Sequence, residues 1–185
     1  GVWFTENYET ISKREHAYLS ANVQAAALRQ VLRYVDRQGG HWERIKDAEV
    51  EVSHVEPDYI LSGKVDLVEG ENGTLDIVDF KAEKKPDMER DKEQIQRYKR
   101  QLQIYAYIIE QKTGKPVDRL RLYYTGDDTD GVPEIVFKNE PTKVQETIDE
   151  FTQVVHKIQC RDYTTRSTSQ TLCNNCDLRH FCKKN

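Results

Sequence analysis

The stretch GKVDLVEGENGTLDIVDFK, residues 63–81, decides the fold of this chain. Apolar and polar residues alternate on both sides of Asn72-Gly73, and this period of two is typical of half-buried strands. Asn-Gly is a strong short-range signal for a tight hairpin turn. The stretch therefore predicts two antiparallel strands, Tyr59–Val68 and Leu75–Lys81, joined as a β-hairpin.

The sequence around this hairpin predicts further strands and helices. Before it, Ala48–Val52 alternates in the same way and is expected to extend the hairpin into an antiparallel meander. Helical periodicity runs over residues 12–38, 95–112 and 141–159, and Gly39-Gly40 ends the first of these helices. Two more strands are expected at residues 120–125 and 132–137, and residues 82–96 form a solvated loop. Together these elements predict an α/β fold in which helices flank a central mixed sheet.

Two carboxylates and a lysine are carried by the hairpin strands. Positions 79 and 81 lie on the same face of a strand, so Asp79 and Lys81 project together, and hairpin pairing brings Asp66 beside them. Paired carboxylates suit a hard divalent cation, and an ammonium can orient water and offset developing charge. An exposed face or an ion-pair ladder is the alternative. Unpaired charge is costly among apolar neighbours, and this favours a site over the alternative. The apolar neighbours of the carboxylates are Val65, Leu67, Ile77, Val78 and Phe80.

The helix after the hairpin adds a second pair of polar side chains. Gln101 and Tyr105 are four residues apart and share one helix face, with Arg97 one turn earlier. They are candidates to contact a phosphate or a water beside the strands. The alternative is a helix that packs Tyr105 into the core.

Three sequence blocks, GKVDL at 63–67, IVDFK at 77–81 and YKRQLQIYA at 98–106, resemble the RecB-type nuclease domain of the PD-(D/E)xK superfamily. The likeness covers residues 45–182 and is greatest to the domain at the C-terminus of superfamily 1 ATP-dependent DNA helicases. It implies a restriction-endonuclease-like core that acts on DNA.

The resemblance also implies roles for single residues. Asp66, Asp79 and the backbone carbonyl of Phe80 would bind Mg²⁺ or Mn²⁺, and Lys81 would be the catalytic lysine. Gln101 and Tyr105 match the Gln-x3-Tyr motif that follows in this family and are counted with the catalytic set.

Other residues fit the resemblance less well. Such nucleases carry an upstream helix with a Gly-x-x-x-His pattern, whereas His16 has no such glycine, so we expect that segment to lie before Gly1. Glu51 lies on the strand before Asp66, where a carboxylate can assist, but Glu49 and Glu51 can equally face solvent.

All four cysteines follow residue 159, which divides the chain into an expected nuclease domain, 1–159, and a cysteine-rich tail, 160–185. The spacing Cys173-x2-Cys176-x5-Cys182 suits zinc or an iron–sulfur cluster, with His180 available for zinc. Free thiols are the alternative, and Cys160 has no assigned role. The resemblance implies a [4Fe-4S] cluster in the full protein, whose fourth cysteine lies far upstream.

Composition excludes some classes of function. With 28 basic and 32 acidic residues the net charge is −4, which excludes a uniformly basic nucleic-acid binder but not a local basic patch. The basic residues within 81–100 are candidates for DNA contacts, although acidic residues are interspersed and a solvated loop is the alternative. The chain has no P-loop, no apolar run long enough to span a membrane and no signal peptide, so a cytoplasmic location is expected.

The combined expectation is a metal-dependent DNA nuclease, an exonuclease, within a helicase–nuclease that acts in DNA repair and recombination. Its expected partners are DNA and helicase motor domains of the same polypeptide. Two alternatives stay open: a non-catalytic DNA-binding or scaffolding module of the same fold, and a small zinc-binding interaction protein.

Overall fold

The computed structural model describes residues 1–40, 42–162, 173, 174, 176, 177 and 179. The chain divides into two compact units, Gly1–Thr147 and Ile148–Asn185. All five strands belong to the first unit. Among the described residues, we find no helix with the length and apolar character needed to span a membrane.

A five-stranded sheet forms the centre of the first unit. Its strands lie in chain order, and only β3 and β4 are parallel, so the expected mixed sheet is confirmed. The strands are β1 (Ile45–Val55), β2 (Ile60–Glu71), β3 (Thr74–Lys81), β4 (Val117–Tyr124) and β5 (Glu134–Lys138).

The β2–β3 hairpin forms at the expected turn. Asn72 and Gly73 have φ angles of 52° and 86°, the left-handed values that a two-residue hairpin turn of the primed type requires. The register pairs Glu71 with Thr74 at the turn and reaches Leu67 opposite Val78. This register determines which side chains meet at the far end of the hairpin.

The described residues form four α-helices: α1 (Val2–Glu15), α2 (Ala21–Gln38), α3 (Lys92–Thr113) and α4 (Pro141–Gln159). The expectation of one helix over residues 12–38 is wrong, because α1 ends before His16, whose φ is 51°. Ser20 then caps α2, since its side chain accepts a hydrogen bond from the Val23 N–H at 3.4 Å.

Helices α2 and α3 lie on opposite faces of the sheet. Tyr34 of α2 packs edge-on against Phe80 and Tyr123, with ring centroids 5.1 and 5.0 Å apart. Lys81, the next residue after Phe80, instead contacts Tyr98 of α3. Because adjacent strand residues face opposite ways, β3 presents its carboxylate and lysine to α3 and its Phe80 ring to α2.

Charged side chains cross the sheet in a group that we call the charge ladder: Arg44, Glu69, Asp76, Arg119, Arg121 and Glu134. The Arg121 guanidinium lies 2.6 Å from Glu69 and 2.8 Å from Glu134, and so joins β2, β4 and β5. Arg119 pairs with Asp76, whose side chain is 7% exposed. Buried carboxylates are costly unless paired, and here each has a guanidinium partner.

The edge strand β1 departs from regular geometry at Glu49, which has a φ of 57°. A positive φ is uncommon for a residue with a side chain. The exposed Glu49 carboxylate forms an ion pair with Lys64 of β2. The register of β1 against β2 also shifts between Ile45 and Asp47.

Candidate active site

The hairpin brings two carboxylates together at the end of β3. Continuing the antiparallel register one step beyond Leu67 and Val78 sets Asp66 opposite Asp79. Asp66 Oδ2 accepts a hydrogen bond from the Phe80 backbone N–H at 2.8 Å. This bond holds the Asp66 side chain across the strand pair and beside the peptide that follows Asp79.

Asp79 is a buried carboxylate, 6% exposed. Its Oδ2 lies 2.5 Å from Lys81 Nζ in a close ion pair, although among the described residues this oxygen has no hydrogen bond of regular geometry. Burial raises the pKa of Asp79, and the Asp66 charge adds to this, while Lys81 opposes it. Desolvation is therefore only partly offset, and Oδ2 has lone pairs to offer a ligand.

Lys81 is held from several sides. Its side chain is 16% exposed, and its ammonium lies 4.1 Å from the centroid of the Tyr98 ring. Its backbone carbonyl accepts hydrogen bonds from the Thr125 N–H at 2.8 Å and the Thr125 hydroxyl at 3.2 Å. The end of β3 is thus fixed both by its pairing with β4 and by Thr125, the residue that follows β4.

The segment after Lys81 is joined to the β4–β5 loop. Asp127 accepts hydrogen bonds from the Thr129 hydroxyl at 2.6 Å, the Thr129 N–H at 2.9 Å and the Lys85 N–H at 3.3 Å. These bonds, the Thr129 hydroxyl first, lower the pKa of Asp127. Lys84 also pairs with Asp128 at 3.0 Å. These contacts tie residues 84 and 85 to the loop beside the site.

Gln101 and Tyr105 contact each other and the hairpin. The Gln101 amide donates a hydrogen bond to the Tyr105 hydroxyl at 2.9 Å. The Tyr105 ring lies so close to Gly63 that a Cβ there would be 3.3 Å from both Cδ1 and Cζ. The pair thus abuts the start of the Asp66 block, whereas Arg97 is exposed and lies 5.9 Å from the Tyr98 ring.

Two tyrosines near the carboxylates are absent from the set of site residues predicted from the sequence. Tyr98 contacts Lys81, and the fully buried Tyr124 has a hydroxyl without a hydrogen-bond partner. Burial raises the pKa of Tyr124, and the charges of Glu83 and Asp79 contribute. Tyr98 is seven residues before Tyr105, two helical turns along the same face, and that spacing is the one signal that points to it.

The donors around Asp79 fit a hard divalent cation. Asp66, Asp79 and the Phe80 carbonyl supply oxygen atoms, the ligands that Mg²⁺ prefers, and Asp79 Oδ2 is buried without a hydrogen bond. Within the described part of the chain, no group of three or more His, Cys, Asp or Glu side chains is placed to hold a metal. Glu51 is exposed, and Glu49 is exposed and paired with Lys64, so neither joins the carboxylate pair here.

The cysteine tail is described in part. Cys160, Cys173 and Cys176 are exposed free thiols, and the Cys176 N–H donates to the Cys173 carbonyl at 3.3 Å. Cys182 and His180 lie outside the described residues. The expected cluster of Cys173, Cys176 and Cys182 therefore stays a prediction.

Comparison with known proteins tests the resemblance. The sequence matches the family model of the PD-(D/E)XK nuclease superfamily over residues 3–183, while no curated protein matches it significantly. One similar solved structure is a candidate exonuclease from Eubacterium rectale, at 14% identity and a TM-score of 0.58, over 99% of this chain and 71% of that one. Another is SSO0001, at 12% identity and a TM-score of 0.50, over 98% and 79%. These two likenesses show the fold alone, and the match over residues 3–183 shows that the chain belongs to the PD-(D/E)XK nuclease superfamily.

Proposed function

We propose that this chain is a metal-dependent deoxyribonuclease whose site is built from Asp66, Asp79 and Lys81. The observation that carries the proposal is Asp79 Oδ2, which is buried, unsatisfied by hydrogen bonds and 2.5 Å from the Lys81 ammonium. Burial raises the pKa of Asp79 despite the neighbouring ammonium, so a bound cation would offset a desolvation cost that Lys81 offsets only in part. The membership of a nuclease superfamily supports the same conclusion.

Each of the site residues has a separate role in the proposed phosphodiester hydrolysis. Asp66, Asp79 and the Phe80 carbonyl would hold Mg²⁺ or Mn²⁺, which supplies Lewis acidity and lowers the pKa of a bound water. The hydrogen bond from the Phe80 N–H orients Asp66, so the Asp66 side chain is set before substrate arrives. Lys81 carries a positive charge next to the carboxylates, where it can donate to a phosphate oxygen and offset charge that develops there.

Finer parts of the proposal rest on the resemblance. An exonuclease mode agrees with the description of the E. rectale relative as a candidate exonuclease. Attachment to helicase motor domains, with a role in repair or recombination, follows from the sequence likeness to nuclease domains of superfamily 1 helicases. End-labelled and closed circular DNA distinguish an exonuclease from an endonuclease, since an exonuclease leaves closed circles intact.

The decisive test compares cleavage of linear DNA by the parent, Asp79→Asn and Lys81→Met in Mg²⁺ or Mn²⁺. We expect each variant to lose cleavage by at least about 100-fold, since Asp79→Asn removes a metal ligand and Lys81→Met removes the cation that faces the phosphate. Lys143→Met and Glu146→Gln are the matched controls, because that exposed pair lies on α4. Equal cleavage by the parent and Asp79→Asn would refute the proposal.

A second candidate is a non-catalytic DNA-binding module of the same fold. The observation that favours it is that, in the described residues, no group of three or more His, Cys, Asp or Glu side chains is placed to hold a metal. Thermal unfolding with increasing Mn²⁺ separates the two candidates. A working metal site raises the melting temperature of the parent and not of Asp79→Asn, whereas a non-catalytic module binds DNA with no response to the metal.

We further propose that the cysteine tail holds a metal through Cys173, Cys176 and Cys182. Cys-x2-Cys followed by a third cysteine is a spacing that suits zinc or an iron–sulfur cluster. Metal analysis of protein purified without oxygen tests this. Iron with sulfide supports the cluster, and zinc alone supports the zinc site. Protein that contains neither iron nor zinc would refute the proposal.

A further inference from the structure

We propose that Tyr98 is a positioning residue for Lys81: the face of its ring holds the ammonium beside Asp79. This inference rests on the nuclease function proposed above and adds a residue from α3 to a site otherwise built by the hairpin. The Lys81 Nζ lies 4.1 Å from the centroid of the Tyr98 ring, inside the range of about 6 Å over which a cation is attracted to an aromatic face.

The ammonium therefore has two partners from two elements. Asp79 of β3 lies on one side at 2.5 Å, and the Tyr98 ring of α3 lies on another. A lysine side chain is flexible and bears a compact charge, so a single partner leaves several positions open to it. Two partners on different elements restrict it to the place where both are satisfied.

The ring is itself held by a closed set of hydrogen bonds. The Tyr98 hydroxyl donates to Glu83 Oε1 at 3.2 Å. The Gln94 amide donates to the same Glu83 oxygen at 2.8 Å and to the Tyr98 hydroxyl at 3.2 Å. Glu83 lies two residues after Lys81, so the chain that follows the lysine also sets the orientation of the ring that faces it.

An aromatic face serves this purpose better than a second carboxylate. The ring attracts the ammonium through its quadrupole and carries no net charge. A further carboxylate would cancel more of the net positive charge that the proposed reaction needs beside the phosphate. Arg97 also lies near this ring, but at 5.9 Å it is the more distant cation.

Substitutions at position 98 separate the ring from the bulk of the side chain. Tyr98→Phe keeps the aromatic face and loses only the hydroxyl, whereas Tyr98→Leu keeps an apolar side chain without the face. We expect Tyr98→Phe to retain kcat within about 3-fold and Tyr98→Leu to lose about 10-fold in kcat with KM unchanged, as for a group acting only in the chemical step. Tyr107→Leu on the same helix, remote from Lys81 and bonded to Glu56, is the matched control.

A graded test isolates the electrostatic part of the contact. Phenylalanines with one, two and three ring fluorines at position 98 weaken the negative face step by step while the ring keeps nearly the same size. We expect log kcat to fall in proportion to the number of fluorines. A flat series means that the ring acts by shape alone, and it overturns the proposal.

A measurement without substrate keeps this inference separate from the nuclease proposal. Protons over an aromatic face are shifted upfield, so the Lys81 ε-methylene signal, assigned by its loss in Lys81→Arg, is expected upfield in the parent and Tyr98→Phe, and at its ordinary position in Tyr98→Leu. An ordinary position in the parent overturns the contact. An upfield signal in the parent, together with full kcat in Tyr98→Leu, overturns the positioning role. An upfield signal in a parent that cleaves no DNA overturns the nuclease proposal and the positioning role together, but leaves the contact established.

Discussion

Replacing Gly63 with alanine tests the contact between the Asp66 block and α3. An added Cβ would lie within 3.0 Å of Tyr105 Cε1, a separation that real Cβ atoms essentially never show, and 3.3 Å from Cδ1 and Cζ. Gly63 does not have a positive φ, so the backbone accepts alanine and the ring alone opposes it. Tyr105 cannot simply swing away without losing its hydrogen bond from Gln101.

The size of the effect follows from these contacts. Forcing an extra methyl group against a held ring costs about 1–3 kcal/mol. Alanine also restricts the unfolded chain, which stabilises a protein by about 0.4–1 kcal/mol where the backbone permits it. With Tyr105 in place the first effect wins, and we expect a net loss near 1–2 kcal/mol, which lowers a urea midpoint by roughly 0.5–1 M.

The assay is a double-mutant cycle in urea. In a Tyr105→Leu background the ring atoms that oppose the Cβ are gone, so Gly63→Ala is expected to become neutral or stabilising. The loss in the free energy of unfolding caused by Gly63→Ala should therefore disappear or change sign in the Tyr105→Leu background. The expected coupling energy between positions 63 and 105 is about 1–3 kcal/mol. Equal effects of alanine in both backgrounds would refute the assigned contact.

Three further predictions concern stability, each measured in chelated buffer by urea unfolding. Arg121→Met should cost about 3 kcal/mol because the buried Glu69, 5% exposed, loses its guanidinium partner at 2.6 Å and keeps only the longer ion pair with Arg44 at 3.5 Å; a loss under 1 kcal/mol would contradict this. Asp127→Asn should cost stability at pH 7 and little at low pH, because the pKa of Asp127 is lowered in the folded state: its contribution is present above pH 3.8 and is lost as pH falls through the folded pKa. The pH dependence at Asp79 has the opposite sign, because burial raises its pKa in the folded state. The free energy of unfolding of the parent, relative to that of Asp79→Asn, should fall as pH rises above 3.8. A rise would show that the ion pair with Lys81 outweighs burial.

The hairpin is the part of the site that could be predicted from the sequence. A period of two and the Asn72-Gly73 turn determine the register, and the register alone brings Asp66 beside Asp79. Lys81 follows because it shares the strand face of Asp79. These relations depend on neighbours in the chain or across one turn, which is why the pattern was sufficient.

Two features were not predicted, one of them local and the other dependent on packing between distant elements. The break between α1 and α2 depends on a cap at Ser20 within a stretch whose apolar period continues on both sides. The contact of Tyr98 with Lys81 depends on how α3 crosses the sheet, which periodicity does not specify. The functional roles given to the hairpin residues, to Gln101 and Tyr105 and to the cysteines all stay predictions.

The open edge of the sheet bears on how the protein behaves at high concentration. An exposed edge strand with free backbone groups is a template for pairing with another chain. Strand β1 opposes such pairing with charged residues along its length and with the left-handed backbone at Glu49, which interrupts a flat hydrogen-bonding edge. At the other edge β5 has only five residues. A strand from another copy would have to straighten Glu49 before it could add to β1, so this edge is a poor template for extending the sheet.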